Sequence, residues 1–434
     1  MGTFDIIAMM IFLAGLFLFV NTYFIKLPSS IGLMILALGL SVVVLIIGKV
    51  HPEYHLAENV KHLDYGEFMY RFVLSVLLFA GALNVNFHRL GKQLVPVLVL
   101  SFMGVLISTT IIGFLTYGLV LLLGIELSLL GCFVFGALIS CTDPIAITKN
   151  IRRYRLSSAL EAKVEGESLL NGGISIVLAF TLFNIYEMQQ TMEFVGAVDV
   201  FMVIIQDLFG GLIVGILMGW VGYYLLKFVD NDVVEAEMLI TMALVLTGSY
   251  LADSLSVSSI LVAVLSGLII GNFGRDDRTG ESAVGFYVYK FWQLMEETVA
   301  AILFVLIGFE MLVIPIRMDY FAAGFFAVVI VVLARWIAMY IPIRMMSHLR
   351  SFDKGTVSVL TWGGLKGGLP VAFTLSLAEF PGRDILVTLT YIVVVCSLLY
   401  QGLTLGAVMK MYKSMNMHKL TIEKEHRADM KNAA

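Results

Sequence analysis

About thirteen mostly apolar stretches, most of them near 20 residues long, follow one another along this chain, and each is a candidate to cross a bilayer. They run near 4–25, 31–48, 67–85, 95–123, 127–149, 164–186, 199–228, 235–252, 258–273, 294–313, 321–344, 356–379 and 385–412. In lipid every backbone polar group needs an internal partner, so only helices and closed barrels can span. These runs are too long and too evenly apolar for barrel strands, which alternate in polarity. The predicted fold class is an all-α polytopic membrane protein of about 13 transmembrane helices. Composition agrees, since 14% of the residues are charged against roughly 25% in soluble domains. The first stretch, Phe4 to Ile25, has no basic residue before it and exceeds the core of a secretory signal peptide, so it is expected as a retained helix.

Charge position sets the expected topology. Of the 28 Lys and Arg residues, 21 fall in alternate connections and the C-terminal tail, and four (Lys49, Lys61, Arg317 and Arg383) fall on the other side. Basic loops stay cytoplasmic, which places the N-terminus outside and the C-terminus inside. The chain reads as one transmembrane unit over 1–434, with a short polar tail at 413–434. The remaining three basic residues, Arg71, Arg335 and Lys366, lie within spans.

Two spans look broken. The fifth carries Ser140-Cys141-Thr142-Asp143-Pro144, and the twelfth carries Trp362-Gly363-Gly364-Leu365-Lys366-Gly367-Gly368-Leu369-Pro370. Proline removes a helix donor and clashes with the preceding turn, and glycine weakens a helix interior. The breaks sit seven spans apart. That spacing fits two inverted six-helix repeats, about 1–190 and 235–412, joined by a linker helix at about 199–228. Paired interrupted helices in matching positions point to a transport site at their crossing. Glycine in a membrane helix also serves close packing, but here each break carries an ionisable side chain.

Such side chains are costly within a membrane and need a reason. Unwound carbonyls, the Thr142 hydroxyl and the Asp143 carboxylate together form an oxygen set suited to a hard cation, and a carboxylate holds either a cation or a proton. Lys366 is expected to balance helix-end dipoles rather than to bind ions. In the sixth span, Glu167 and Asn171 stand four apart on one helix face with Ser168 beside them. Glu167 needs a counter-charge, and Arg335 of the eleventh span is the expected partner. The other acidic residues, among them Asp207, Asp253, Glu296, Glu297, Glu310 and Glu379, lie near span ends and are expected to be solvated or capping.

Thr142-Asp143-Pro144, Gly166-Glu167-Ser168-Leu169-Leu170-Asn171 and Gly363-Gly364-Leu365-Lys366-Gly367-Gly368 together resemble the sodium/proton antiporters of the NhaP and NHE type. Phe304-Val305-Leu306-Ile307-Gly308 and Arg335 also look like that family, and the likeness covers nearly the whole chain. The resemblance implies a thirteen-helix homodimer with a dimerisation domain and a mobile core domain. It implies that Thr142 and Asp143 lie at a helix crossing and that Glu167 and Arg335 stabilise each other. It implies a cation site built from Thr142, Ser168 and the carboxylate that follows Asn171. Here that carboxylate is missing, because the family's Asn-Asp pair reads Asn171-Gly172. With every other element intact, Gly172 reads as a substitution within the motif, in preference to natural divergence of a member with lost or altered exchange.

The expected function is electroneutral exchange of Na⁺ or Li⁺ for H⁺ across a bacterial plasma membrane, impaired in this chain by Gly172. A K⁺/H⁺ exchanger, a cation leak or a non-transporting membrane sensor is the alternative. An intramembrane serine enzyme built on Ser168 lacks a base, since all seven histidines fall in polar connections or the tail. The same distribution disfavours a metalloprotease, which needs paired helical histidines. Cys132, Cys141 and Cys396 show no metal or disulfide spacing and are expected to pack. No cofactor is expected, no basic tract suggests nucleic acid, and the expected partners are the transported ions, lipid and a second copy of the chain.

Overall fold

The computed structural model describes residues 3–50, 69–85, 90–143, 151, 154, 156–191, 196–229, 233–273, 286–310, 317–348, 352–377 and 380–416. Pro144, Glu379 and every histidine except His348 lie outside them. Among the described residues the regular structure is entirely helical. We number the helices α1 Thr3–Val20, α2 Ser29–Val50, α3 Ser75–Leu83, α4 Leu94–Leu122, α5 Leu129–Ser140, α6 Ser158–Thr191, α7 Ala197–Ile205 and α8 Gly211–Phe228. The series continues with α9 Val234–Ser254, α10 Ser259–Phe273, α11 Phe286–Glu310, α12 Met318–Met346, α13 Thr356–Gly363, α14 Leu369–Ser376, α15 Arg383–Cys396 and α16 Gly402–Met415. π-helical turns at Gln206–Gly210 and Ser397–Gln401 join α7 to α8 and α15 to α16.

Among the described residues, eight helical stretches are long and apolar enough to cross a membrane. Shorter apolar helices cover Ile31–Ile47, Phe72–Leu83, Leu129–Ser140 and Ser259–Phe273. The predicted span at 356–379 is two eight-residue helices, α13 and α14, separated by an unwound segment. The predicted span at 164–186 begins earlier, at Ser158, so Glu167 sits within α6 rather than near its end.

Beside a buried apolar core, several of these helices put small residues against their neighbours and large apolar ones outside. α4 buries small and polar side chains, including Ser101, Gly104, Ser108, Thr109, Gly113 and Thr116. It exposes Leu98, Phe102, Leu106, Phe114 and Leu115. Lipid solvates large apolar groups, whereas small residues let helix backbones approach. α8 does the same with Gly211, Gly215, Gly219 and Gly222, all buried. A methyl group added at Gly219 would lie 2.8 Å from Ile269 Cβ of α10, so that glycine is a condition of the α8–α10 contact. Gly308 of α11 meets Ala37 of α2 still more closely, and Ser41 donates to the Gly308 carbonyl at 2.7 Å.

Candidate functional site

The two breaks meet. α5 ends at Ser140, and Cys141 leaves the helix with ψ near 139°. Residues 141–143 then run beside the unwound segment 364–368, where the Asp143 backbone N–H donates to the Leu365 carbonyl at 2.9 Å. The Lys366 ammonium donates to the carbonyls of Cys141 at 3.3 Å and Ser140 at 3.5 Å. These carbonyls end α5 and have no helical partner, and a cation beside them opposes the negative end of the helix dipole. Across the crossing, Asp143 packs on Gly367, where an added methyl group would stand 2.8 Å from its Oδ2. Gly367 precedes α14, so this carboxylate lies next to the positive end of a half-helix. Lys366 thus lies beside the negative end of α5, and Asp143 beside the positive end of α14.

α6 presents two stripes to this region. Ser168 and Gly172, four apart, face the first break. The Ser168 hydroxyl donates to Thr142 Oγ1 at 2.9 Å, and a Cβ placed on Gly172 would lie 3.7 Å from Cys141 Sγ and 3.9 Å from the Thr142 carbonyl. Both distances are ordinary van der Waals contacts, so packing does not require glycine at 172.

The second stripe is Glu167, Asn171 and Ser175. Asn171 Nδ2 donates to Glu167 Oε1 at 2.9 Å, and Ser175 donates to Asn171 Oδ1 at 2.9 Å. Arg335 of α12 closes this network with two hydrogen bonds of 2.8 Å, from Nη1 and Nη2 to the two Glu167 oxygens. Glu167 is 1% exposed and Arg335 is 3% exposed, so the pair is dry. A fork of this kind is the strongest arrangement of the two groups. Gly364 makes room for it, since a methyl group there would stand 2.7 Å from Arg335 Nε.

The structure therefore separates residues that the sequence grouped together. Thr142, Asp143, Ser168 and Gly172 gather at the crossing with Lys366. Asn171, next to position 172 in the motif, has both ends of its amide engaged by Glu167 and Ser175. Asp207 departs from the expected solvated role: it is buried on the π-helical turn and accepts a 2.9 Å hydrogen bond from Asn184 of α6. Glu237 is also fully buried, although its place in the first turn of α9 reads as an ordinary helix start. Ser397 and Gln401 gave no signal in the sequence, yet Ser397 meets the second break, accepting from the Lys366 backbone N–H at 3.0 Å.

Comparison with known proteins finds relatives over nearly the whole chain. The family profile described as sodium/hydrogen exchanger, transmembrane, matches residues 8–411. The Na(+)/H(+) antiporter NhaP of Pseudomonas aeruginosa is 35% identical over 413 residues, covering 94% of this chain and 96% of that protein. The Na(+)/H(+) antiporter NhaH of Halobacillus aidingensis is 32% identical over 341 residues, 78% of this chain and 81% of its own length. The structure of the sodium proton antiporter MjNhaP1 from Methanocaldococcus jannaschii at pH 8 superposes with a TM-score of 0.72 over 93% of this chain and 96% of that one. At 18% identity this last likeness concerns the fold alone.

Proposed function

Because the chain belongs to the sodium/hydrogen exchanger family, a family of membrane transporters and not of enzymes, we propose that it exchanges Na⁺ or Li⁺ for H⁺, electroneutrally, and that Gly172 impairs this exchange. The membrane is a bacterial plasma membrane, with the N-terminus outside and the C-terminus in the cytoplasm, in keeping with the basic connections. The two halves about 1–190 and 235–412 act as inverted repeats around the crossing.

The observation that carries the reading is the direction of position 172. It faces the first break, four residues from Ser168 and beside the Thr142 carbonyl, and a Cβ there meets only ordinary van der Waals contacts. A carboxylate there joins the hydroxyls of Thr142 and Ser168 as a cation ligand, and sodium favours such hard oxygen donors. Exchange at one shared site needs a carboxylate that binds the cation, takes up a proton in its place and returns neutral. Asp143 is the remaining carboxylate at the crossing, and its place beside the start of α14, opposite Lys366, suits it to balancing charge. Glu167 and Arg335 form a structural pair that anchors α6 to α12, with Asn171 extending that pair rather than binding the ion.

The test is ion flux in proteoliposomes under an imposed pH gradient, with Na⁺, Li⁺ and K⁺ supplied in turn. This chain is expected to exchange Na⁺ poorly, and Gly172→Asp is expected to restore it. Robust Na⁺ exchange by the chain as it stands, with no gain from Gly172→Asp, would mean that another group carries the proton. Coupling to K⁺ alone would assign the potassium alternative.

A further inference from the structure

One peptide group joins three elements of the crossing. The carbonyl of the Leu365–Lys366 peptide accepts the Asp143 backbone N–H at 2.9 Å, and the N–H of the same peptide donates to Ser397 Oγ at 3.0 Å. The carbonyl and N–H of a trans peptide point in opposite directions, so this single plane spans from the first break to the π-helical turn between α15 and α16. A backbone N–H can only donate, so the Ser397 oxygen must accept from Lys366, and the hydroxyl proton is left for another acceptor. Gln401 supplies it: Ser397 donates to Gln401 Oε1 at 2.5 Å. Both side chains are buried. The π-helical turn, a feature often found at functional sites, interrupts the apolar stretch Arg383–Met415 at the level of the second break. An unwound segment within a bilayer has backbone donors without helical partners, and Ser397 satisfies one of them.

We propose that Ser397, oriented by Gln401, is a positioning residue for Asp143. It fixes the plane of the Leu365–Lys366 peptide, and that plane fixes the backbone from which Thr142 and Asp143 present their oxygens. The structural claim stands on these hydrogen bonds, and only its consequence for ion affinity rests on the antiporter reading.

Two measurements test it. The first is hydrogen–deuterium exchange of the intact chain in lipid nanodiscs, read at the amides of Lys366 and Asp143. Ser397→Ala is expected to speed both by about tenfold, the scale of one net hydrogen bond, while α4 and α12 amides keep their rates. Ser397→Thr, which keeps the hydroxyl, is expected to restore slow exchange. Gln401→Leu tests the orienting role without touching the hydroxyl and is expected to give a smaller acceleration at the same two amides. Faster exchange at Lys366 with Asp143 unchanged overturns the proposal, as does acceleration spread evenly over the protein or a failure of Ser397→Thr to restore. The second measurement uses whichever chain exchanges Na⁺, as it stands or with Gly172→Asp. There Ser397→Ala is expected to raise the half-saturating Na⁺ concentration several-fold more than it lowers the maximal rate, and an unchanged Na⁺ dependence overturns the link to affinity. If the amide pattern appears and neither chain transports, the positioning role stands and the antiporter reading fails.

Discussion

Glu167 illustrates how one residue's role depends on its surroundings. Its carboxylate accepts both hydrogen bonds of the Arg335 fork and a third from Asn171. Removing one member of a buried pair leaves the other charge uncompensated and costs about 3–5 kcal/mol. Arg335→Ala is therefore expected to lower the melting temperature in detergent sharply. Glu167→Gln combined with Arg335→Gln should cost less than the two single changes summed, because the double change leaves no naked charge. Additive losses would mean that the pair contributes nothing as a pair. Gly364 belongs to the same argument. Gly364→Ala puts a methyl group into the guanidinium at 2.7 Å, so it should destabilise nearly as Arg335→Ala does.

At the scale of elements, the crossing is held by backbone hydrogen bonds and charge as well as by apolar packing. The end of α5 leaves the Ser140 and Cys141 carbonyls without helical partners, and the Lys366 ammonium covers them. Lys366→Met keeps the bulk and removes both the donor and the charge opposing the dipole. It is expected to cost about 1–2 kcal/mol, read as a lower melting temperature, with exchange at the Asp143 amide increased. Gly367→Ala acts on the other element. Its methyl group meets Asp143 Oδ2 at 2.8 Å and Cβ at 2.9 Å, so the first break must move away from α14. In a Gly172→Asp background that change is expected to reduce Na⁺ affinity well before it reduces thermal stability. Equal loss of both would make Gly367 a packing residue only.

For the whole molecule, large apolar faces remain outside. Phe12, Phe19, Tyr23 and Phe24 at the first helix and Ile213, Leu217, Val221 and Tyr224 of α8 are exposed. Water cannot cover such surfaces at an acceptable free-energy cost, so lipid or another copy of the chain does. The family resemblance implies a homodimer, and a mass measurement in lipid nanodiscs is expected to give twice the mass of the 47.9 kDa chain. A single-chain mass in both nanodiscs and mild detergent would count against it.

What the sequence determined by itself was local in origin. Hydropathy averaged over about 20 residues identifies a span whatever its neighbours are, and glycine and proline weaken a helix from within. Hence the membrane class, the unwound segment around Lys366 and the end of α5 before Asp143 were legible, as was the need of Glu167 for a counter-charge. Tertiary structure alone decided which stripe of α6 meets which neighbour, because α6 carries polar residues on more than one face and its spacing does not say which neighbour each face meets. The i, i+4 spacing of Glu167 and Asn171 was legible, whereas the facing of Ser168 and Gly172 toward Thr142 came from the fold. The fold also buries Asp207 against Asn184, when its sequence context suggested solvent. Ser397 and Gln401 were illegible for the same reason: a serine and a glutamine in an apolar helix gain a role only from the Lys366 N–H, 31 residues earlier in the chain, which the fold brings within reach.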